Sequence, residues 1–172
     1  MVSIIILILV LLISLITDIK KRKILNIVTL PAILYGFAYY LTENGINGFL
    51  FSGKGFLVGL GLLVIPYLLG GMGAGDVKLM AAIGALMGAS FVFYSFIYTA
   101  IIGGIIALVL IAKKRGIINP IKSLLFNLTF FRSNLGSMII ADKEQKHSSI
   151  SFPYGVAIVL GTFCNLVWGG FQ

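Results

Sequence analysis

Between Lys78 and Lys113 the chain carries no charged residue, and none falls within Val2 to Thr17. Apolar runs of this length cannot be covered with polar surface in water. In a bilayer each backbone amide must find its partner within the protein, which for such runs means helices. Composition points the same way, with 59% hydrophobic and 10% charged residues and a mean hydropathy of +1.10 over 172 residues. The expectation is an all-α integral membrane protein, a bundle of about six transmembrane helices in one polytopic domain spanning residues 1–172.

The spans follow in order. Val2 to Thr17 is the first, with no basic stretch before it and no small-residue cleavage site after it, so it reads as a retained helix. It stops at Asp18, and Lys20, Lys21, Arg22 and Lys23 follow at once. A second span covers about Ile27 to Leu41, with Pro31 near its start and Tyr35, Tyr39 and Tyr40 in an interfacial belt toward its outer end. Thr42 to Gly53 reads as a polar, turn-rich loop, and a third span runs from about Gly55 to Leu69, kinked or ended by Pro66. The stretch from Lys78 to Ala112 is too long for one span and divides at Gly88-Ala89-Ser90 into a short fourth helix and a longer fifth. A polar loop over about 113–152 contains an apolar segment, Ser123 to Phe131, suited to an interfacial amphipathic helix. Pro153 to Trp168 is the sixth span, with Trp168 as its anchor.

Charge then sets the orientation. The net charge of +8 would point to nucleic acid in a soluble protein, but no groove-reading module accompanies it. In the six-helix arrangement 12 of the 13 Lys and Arg residues fall on one side, leaving Lys54 alone on the other. That side is cytoplasmic by the positive-inside rule, so the protein belongs in the cytoplasmic (inner) cell membrane with membrane lipids as partners and no nucleic acid. Cys164 stands alone in an apolar run and builds neither a disulfide framework nor a metal site; it reads as a small core residue. His147, in a charged loop with no nucleophile evident beside it, reads as solvated.

Of only five acidic residues, Asp18 and Asp76 both lie at helix ends on the cytoplasmic side. An acid at the edge of a bilayer is costly enough to mark a functional site by default. Two close carboxylates in a poorly hydrated site cannot both ionise easily, so one holds a proton near neutral pH while the other is a base. That is the chemistry of aspartic proteases, and it requires no metal or cofactor. Asp76 begins a helix, whose positive end favours the anion, and Asp18 ends one, so Asp76 is assigned as the base, with the cations beside Asp18 pulling the other way. Gly71, Gly73 and Gly75 ahead of Asp76 do not make a phosphate loop, because no Gly-Lys-Ser/Thr follows and no strand precedes. Gly55-x3-Gly59 and Gly84-x3-Gly88 read as sites of close helix packing.

These residues carry a resemblance. GMGAGDVKLMAAIGALMG, ending at Gly88, resembles the GxGD signature of the type IV prepilin leader peptidase family, and TDIKKRKILNIVTLP, from Thr17, resembles its first aspartate motif. FPYGVAIVLG, Phe152 to Gly161, is similar to the start of that family's last helix. By this resemblance Asp18 and Asp76 are the catalytic pair, Gly73 and Gly75 are the motif glycines, and the substrate partner is a prepilin or pilin-like precursor that loses a short basic leader. The chain departs from the family in having Leu25 where the first motif has Pro. It also lacks the paired CxxC segment that long members place before the first helix and that accompanies N-methylation of the product. The resemblance therefore implies a peptidase without methyltransferase activity, similar to the short enzymes of tight-adherence pili, competence-like systems or archaeal flagellin-type filaments.

Two other classes compete. A small proton- or cation-coupled transporter would place its acids near the bilayer midplane and show an internal repeat, neither of which is evident. A non-catalytic pilus or secretion assembly component would tolerate loss of either acid.

Overall fold

The structure is a computed structural model that describes residues 2–21, 23–69, 71–115 and 154–169. Every described element is helical: α1 (Val2–Lys21), α2 (Asn26–Leu68), α3 (Ala74–Met87), α4 (Ala89–Arg115) and α5 (Tyr154–Trp168). Three stretches, Val2–Lys21, Asn26–Leu68 and Ala89–Val109, are long and apolar enough to cross a membrane. The chain is thus an all-α membrane protein. It divides into two compact units, Met1–Gly103 with Pro153–Gln172, and Gly104–Phe152. Of the second unit the described part is helical, residues 104–115 of α4. The expected interfacial helix at Ser123–Phe131, most of the expected loop at 113–152, and His147 lie outside the described residues.

At 43 residues, α2 is too long for one crossing: straight, it would extend about 64 Å, roughly twice the hydrocarbon thickness. It breaks at Asn44 (φ −127°, ψ 15°) and Gly45 (φ 57°, ψ −139°) into two arms. Phe37 meets Phe49 and Phe56 at ring-centroid distances of 5.2 and 5.9 Å, and Tyr40 meets Phe51 at 4.9 Å, so the arms fold back on each other. The loop expected over Thr42 to Gly53 shrinks to this two-residue reversal. Gly45 adopts the left-handed φ that side chains disfavour, and Gly48 packs where a Cβ would strike the Tyr40 carbonyl, so residues that read as loop can be helical.

The two arms close around α3, whose Val77 and Leu79 to Leu86 are all buried. A helix apolar on every side has no solvent face and belongs in the centre of a fold. Its 14 residues reach only about 21 Å, less than the hydrocarbon thickness. The expected glycine packing is realised here. A Cβ on Gly55 would strike the Gly84 carbonyl, one on Gly59 the Met80 carbonyl, and one on Gly36 would lie 2.7 Å from the Ala85 carbonyl oxygen.

The carboxyl end of α3 is therefore inside protein, where its last carbonyls need partners. The Tyr40 hydroxyl donates to the Leu86 carbonyl at 2.9 Å, the Ser52 hydroxyl to Ala85 at 2.9 Å, and the Gly88 amide to Gly84 at 2.8 Å. Tyr40, expected in an interfacial belt, is in addition a cap for α3. Gly88 (φ 88°) then turns the chain into α4. α5 packs on the first half of α4 through Gly161 against Thr99, and through Asn165, whose side-chain amide donates to the Phe91 carbonyl and to Ser95 Oγ, each at 3.1 Å. Polar contacts of this kind join helices where the lipid offers no hydrophobic drive.

Candidate active site

Asp18 belongs to a buried stripe. Ser3, Leu7, Leu11, Ser14 and Asp18 recur every three or four residues and face the interior of α1, while Ile5, Leu9, Leu12 and Ile16 on the other face are exposed. The acid is only 4% exposed. Its Oδ2 accepts the Val156 amide at 3.1 Å, and the Gly155 amide also reaches the carboxylate. Both amides lie in the first turn of α5. Asp18 therefore ends its own helix while occupying the positive end of another, the ordinary place for an anion. Gly155 permits this approach, since a Cβ there would lie 2.6 Å from Oδ2.

Asp76 is the third residue of α3 and caps its own helix. Its Oδ2 accepts the Gly73 amide at 3.0 Å, and its amide donates to the Gly73 carbonyl at 3.1 Å. The side chain is 8% exposed. The two motif glycines differ in what they need. Gly73 has an extended backbone (φ −83°, ψ 150°) that any residue adopts, and a Cβ on it would sit at contact distance, 3.4 Å, from Asp76 Oδ2. Gly75 has no room: a Cβ there would lie 3.0 Å from Ile24 Cβ and 3.2 Å from the Ile24 carbonyl oxygen. It lets the segment joining α1 to α2 press onto the first turn of α3.

The fold packs α1, which carries Asp18, against α3, which carries Asp76. It also removes the ground on which one was assigned as the base, because both now sit at helix amino termini. The partners that hold Asp18, Gly155 and Val156, were visible in the sequence only as part of the Phe152 to Gly161 stretch. Nothing local tied them to an acid well over a hundred residues away. Lys78, beside the motif, is also held: its Nζ donates to Asn26 Oδ1 at 3.0 Å, joining the starts of α2 and α3. No three His, Cys, Asp or Glu side chains gather to hold a metal among the described residues.

A cavity of about 600 Å³ lies at the other end of α3, lined by Phe51, Met87, Phe91, Tyr94, Tyr98 and Asn165 among others, with no charged side chain in its wall. The acids are therefore not in this cavity but in helix-terminal niches at the opposite end of α3. No curated protein and no solved structure matches the chain. A family model does, over residues 5–108, a span that includes Asp18, the connector, both motif glycines and Asp76, and that stops short of α5. With most of its length matched and both acids inside the match, the chain belongs to the type IV leader peptidase family.

Proposed function

We propose that this protein is a membrane aspartic endopeptidase with Asp18 and Asp76 as its catalytic pair. Its substrates are prepilins or pilin-like precursors, including archaeal flagellin-like ones, from which it removes the short basic leader. Family membership supports peptidase activity; the observation that carries the finer reading is that two buried acids from distant segments are each held by backbone amides at a helix amino terminus, on helices α1 and α3 that pack against each other. The pair shares one proton near neutral pH and titrates as a unit. The ionised member takes a proton from a water molecule, whose oxygen attacks the scissile carbonyl carbon. The protonated member donates to the developing oxyanion and then supplies the proton with which the amine leaves as the C–N bond breaks. Gly73 and Gly75 shape the turn on which the substrate strand must lie extended, since a helical peptide hides its scissile amide in hydrogen bonds.

The placement follows from charge. Lys20, Lys21 and Lys23 adjoin Asp18, so the site belongs on the cytoplasmic face of the inner membrane, in a bundle of about six spans counting each arm of α2 and both short helices. The lone Cys164 offers no paired thiolates of the kind that accompany N-methylation, so this chain cleaves without methylating.

The test is cleavage of a co-expressed pilin-like precursor by the wild type, Asp18→Asn and Asp76→Asn, read as a gel shift with membrane levels measured. Both variants should lose cleavage by at least about a thousandfold at unchanged levels. Turnover by either one removes the pair and returns a transporter or an assembly component to the front.

A further inference from the structure

After α1 the chain is fastened to α3 at two points. The first is the packing of Gly75 on the Ile24 backbone. The second is the hydrogen bond from Lys78 Nζ to Asn26 Oδ1, 3.0 Å long and joining residues 52 apart in sequence. Asp18 lies less than a turn before the end of α1, and Asp76 lies one residue after Gly75 and two before Lys78. Whatever fixes this short connector against α3 therefore fixes the spacing of the two acids.

Burial does not demand the bond. Asn26 is exposed and Lys78 half-buried, so water or headgroups can solvate both, and an exposed hydrogen bond contributes little to stability. What it contributes is position. The long lysine stem reaches from the fifth residue of α3 to the first residue of α2, and the ammonium ends on a neutral amide oxygen rather than on a carboxylate. The constraint is thus placed where catalytic geometry is sensitive, since small displacements between reacting groups have large effects on rate.

We propose that Lys78 and Asn26 form a clasp that positions Asp18 against Asp76, with Lys78 a positioning residue and not a contact for substrate or lipid. The proposal rests on the catalytic pairing of the two acids. The experiment compares kcat and KM for precursor cleavage in Lys78→Met, Asn26→Leu, their double variant and Lys78→Arg, at matched membrane levels. Each of the first two should lower kcat by about tenfold with KM changed less than about twofold. The double variant should be no slower than the slower single, because one bond is lost only once. Lys78→Arg, which keeps a donor, should stay within about threefold of the wild type. A loss confined to KM, fully additive losses, an Asn26→Leu enzyme with wild-type kcat, or Lys78→Arg as slow as Lys78→Met each overturns the clasp. Asp18→Asn, assayed in parallel, separates the two levels: cleavage by that variant removes the catalytic pair itself, whereas an inactive Asp18→Asn beside fully active clasp variants removes only the clasp.

Discussion

Asp18 and Asp76 are held by the same device built in two ways. Asp76 takes its amide partner from its own turn, Asp18 from a helix that begins far along the chain. The second arrangement depends on Gly155 having no side chain. Gly155→Ala should push Asp18 off the α5 amides and reduce cleavage by more than about tenfold while the protein still reaches the membrane; an assay at wild-type rate means that Asp18 does not need this contact. The motif glycines should separate in the same assay. Gly75→Val meets the Ile24 backbone and is expected to cost more than about tenfold, whereas Gly73→Ala, with an unstrained backbone and an ordinary contact, costs less than about 1 kcal/mol in the barrier. The sequence marks both glycines equally. Only the neighbours of each backbone decide which one lacks space.

Among the elements, α3 is the one the others enclose, and its environment has a cost if disturbed. Gly55→Leu puts a side chain where the Gly84 carbonyl lies, and overpacking of that kind destabilises by about 1–3 kcal/mol or more, to be seen as a lower melting temperature in detergent. Tyr40→Phe leaves the Leu86 carbonyl without its donor at the buried end of α3, a loss of about 1 kcal/mol that the same measurement can read. Pattern alone located α3 well: a short helix ending at Gly88 was expected, and Met87 is its last residue. The length of the reversal between the arms of α2 was less legible. Glu43, Asn44 and Gly45 are polar or flexible, and so are Asn47, Gly48, Ser52 and Gly53, but in the fold only Asn44 and Gly45 leave the helix. Gly48 and Ser52 are small because the arms and α3 approach closely there. A sequence reads the same whether a small residue serves a turn or a contact.

For the whole molecule the decisive prediction is orientation. With Cys164 replaced by Ala, cysteines placed singly at Lys20 and Lys54 should differ in labelling by an impermeant reagent on intact cells, Lys54→Cys reacting and Lys20→Cys silent. The reverse pattern would put the acids on the outer face and remove the leader-cleavage reading. The sequence by itself determined the solvent, the helical class, most helix boundaries and the two acids on which the proposed site rests, because apolar run length, charge clusters and a rare carboxylate are local quantities that a bilayer weighs individually. It also supplied the resemblance that the family match bears out. What only the tertiary structure decided is who holds whom: α5 amides on Asp18, Asn26 on Lys78, Ile24 against Gly75, Tyr40 and Ser52 on the end of α3. Each is a contact between segments remote in sequence. It arises from helix packing and close backbone approach, for which hydropathy and local spacing carry no coordinate.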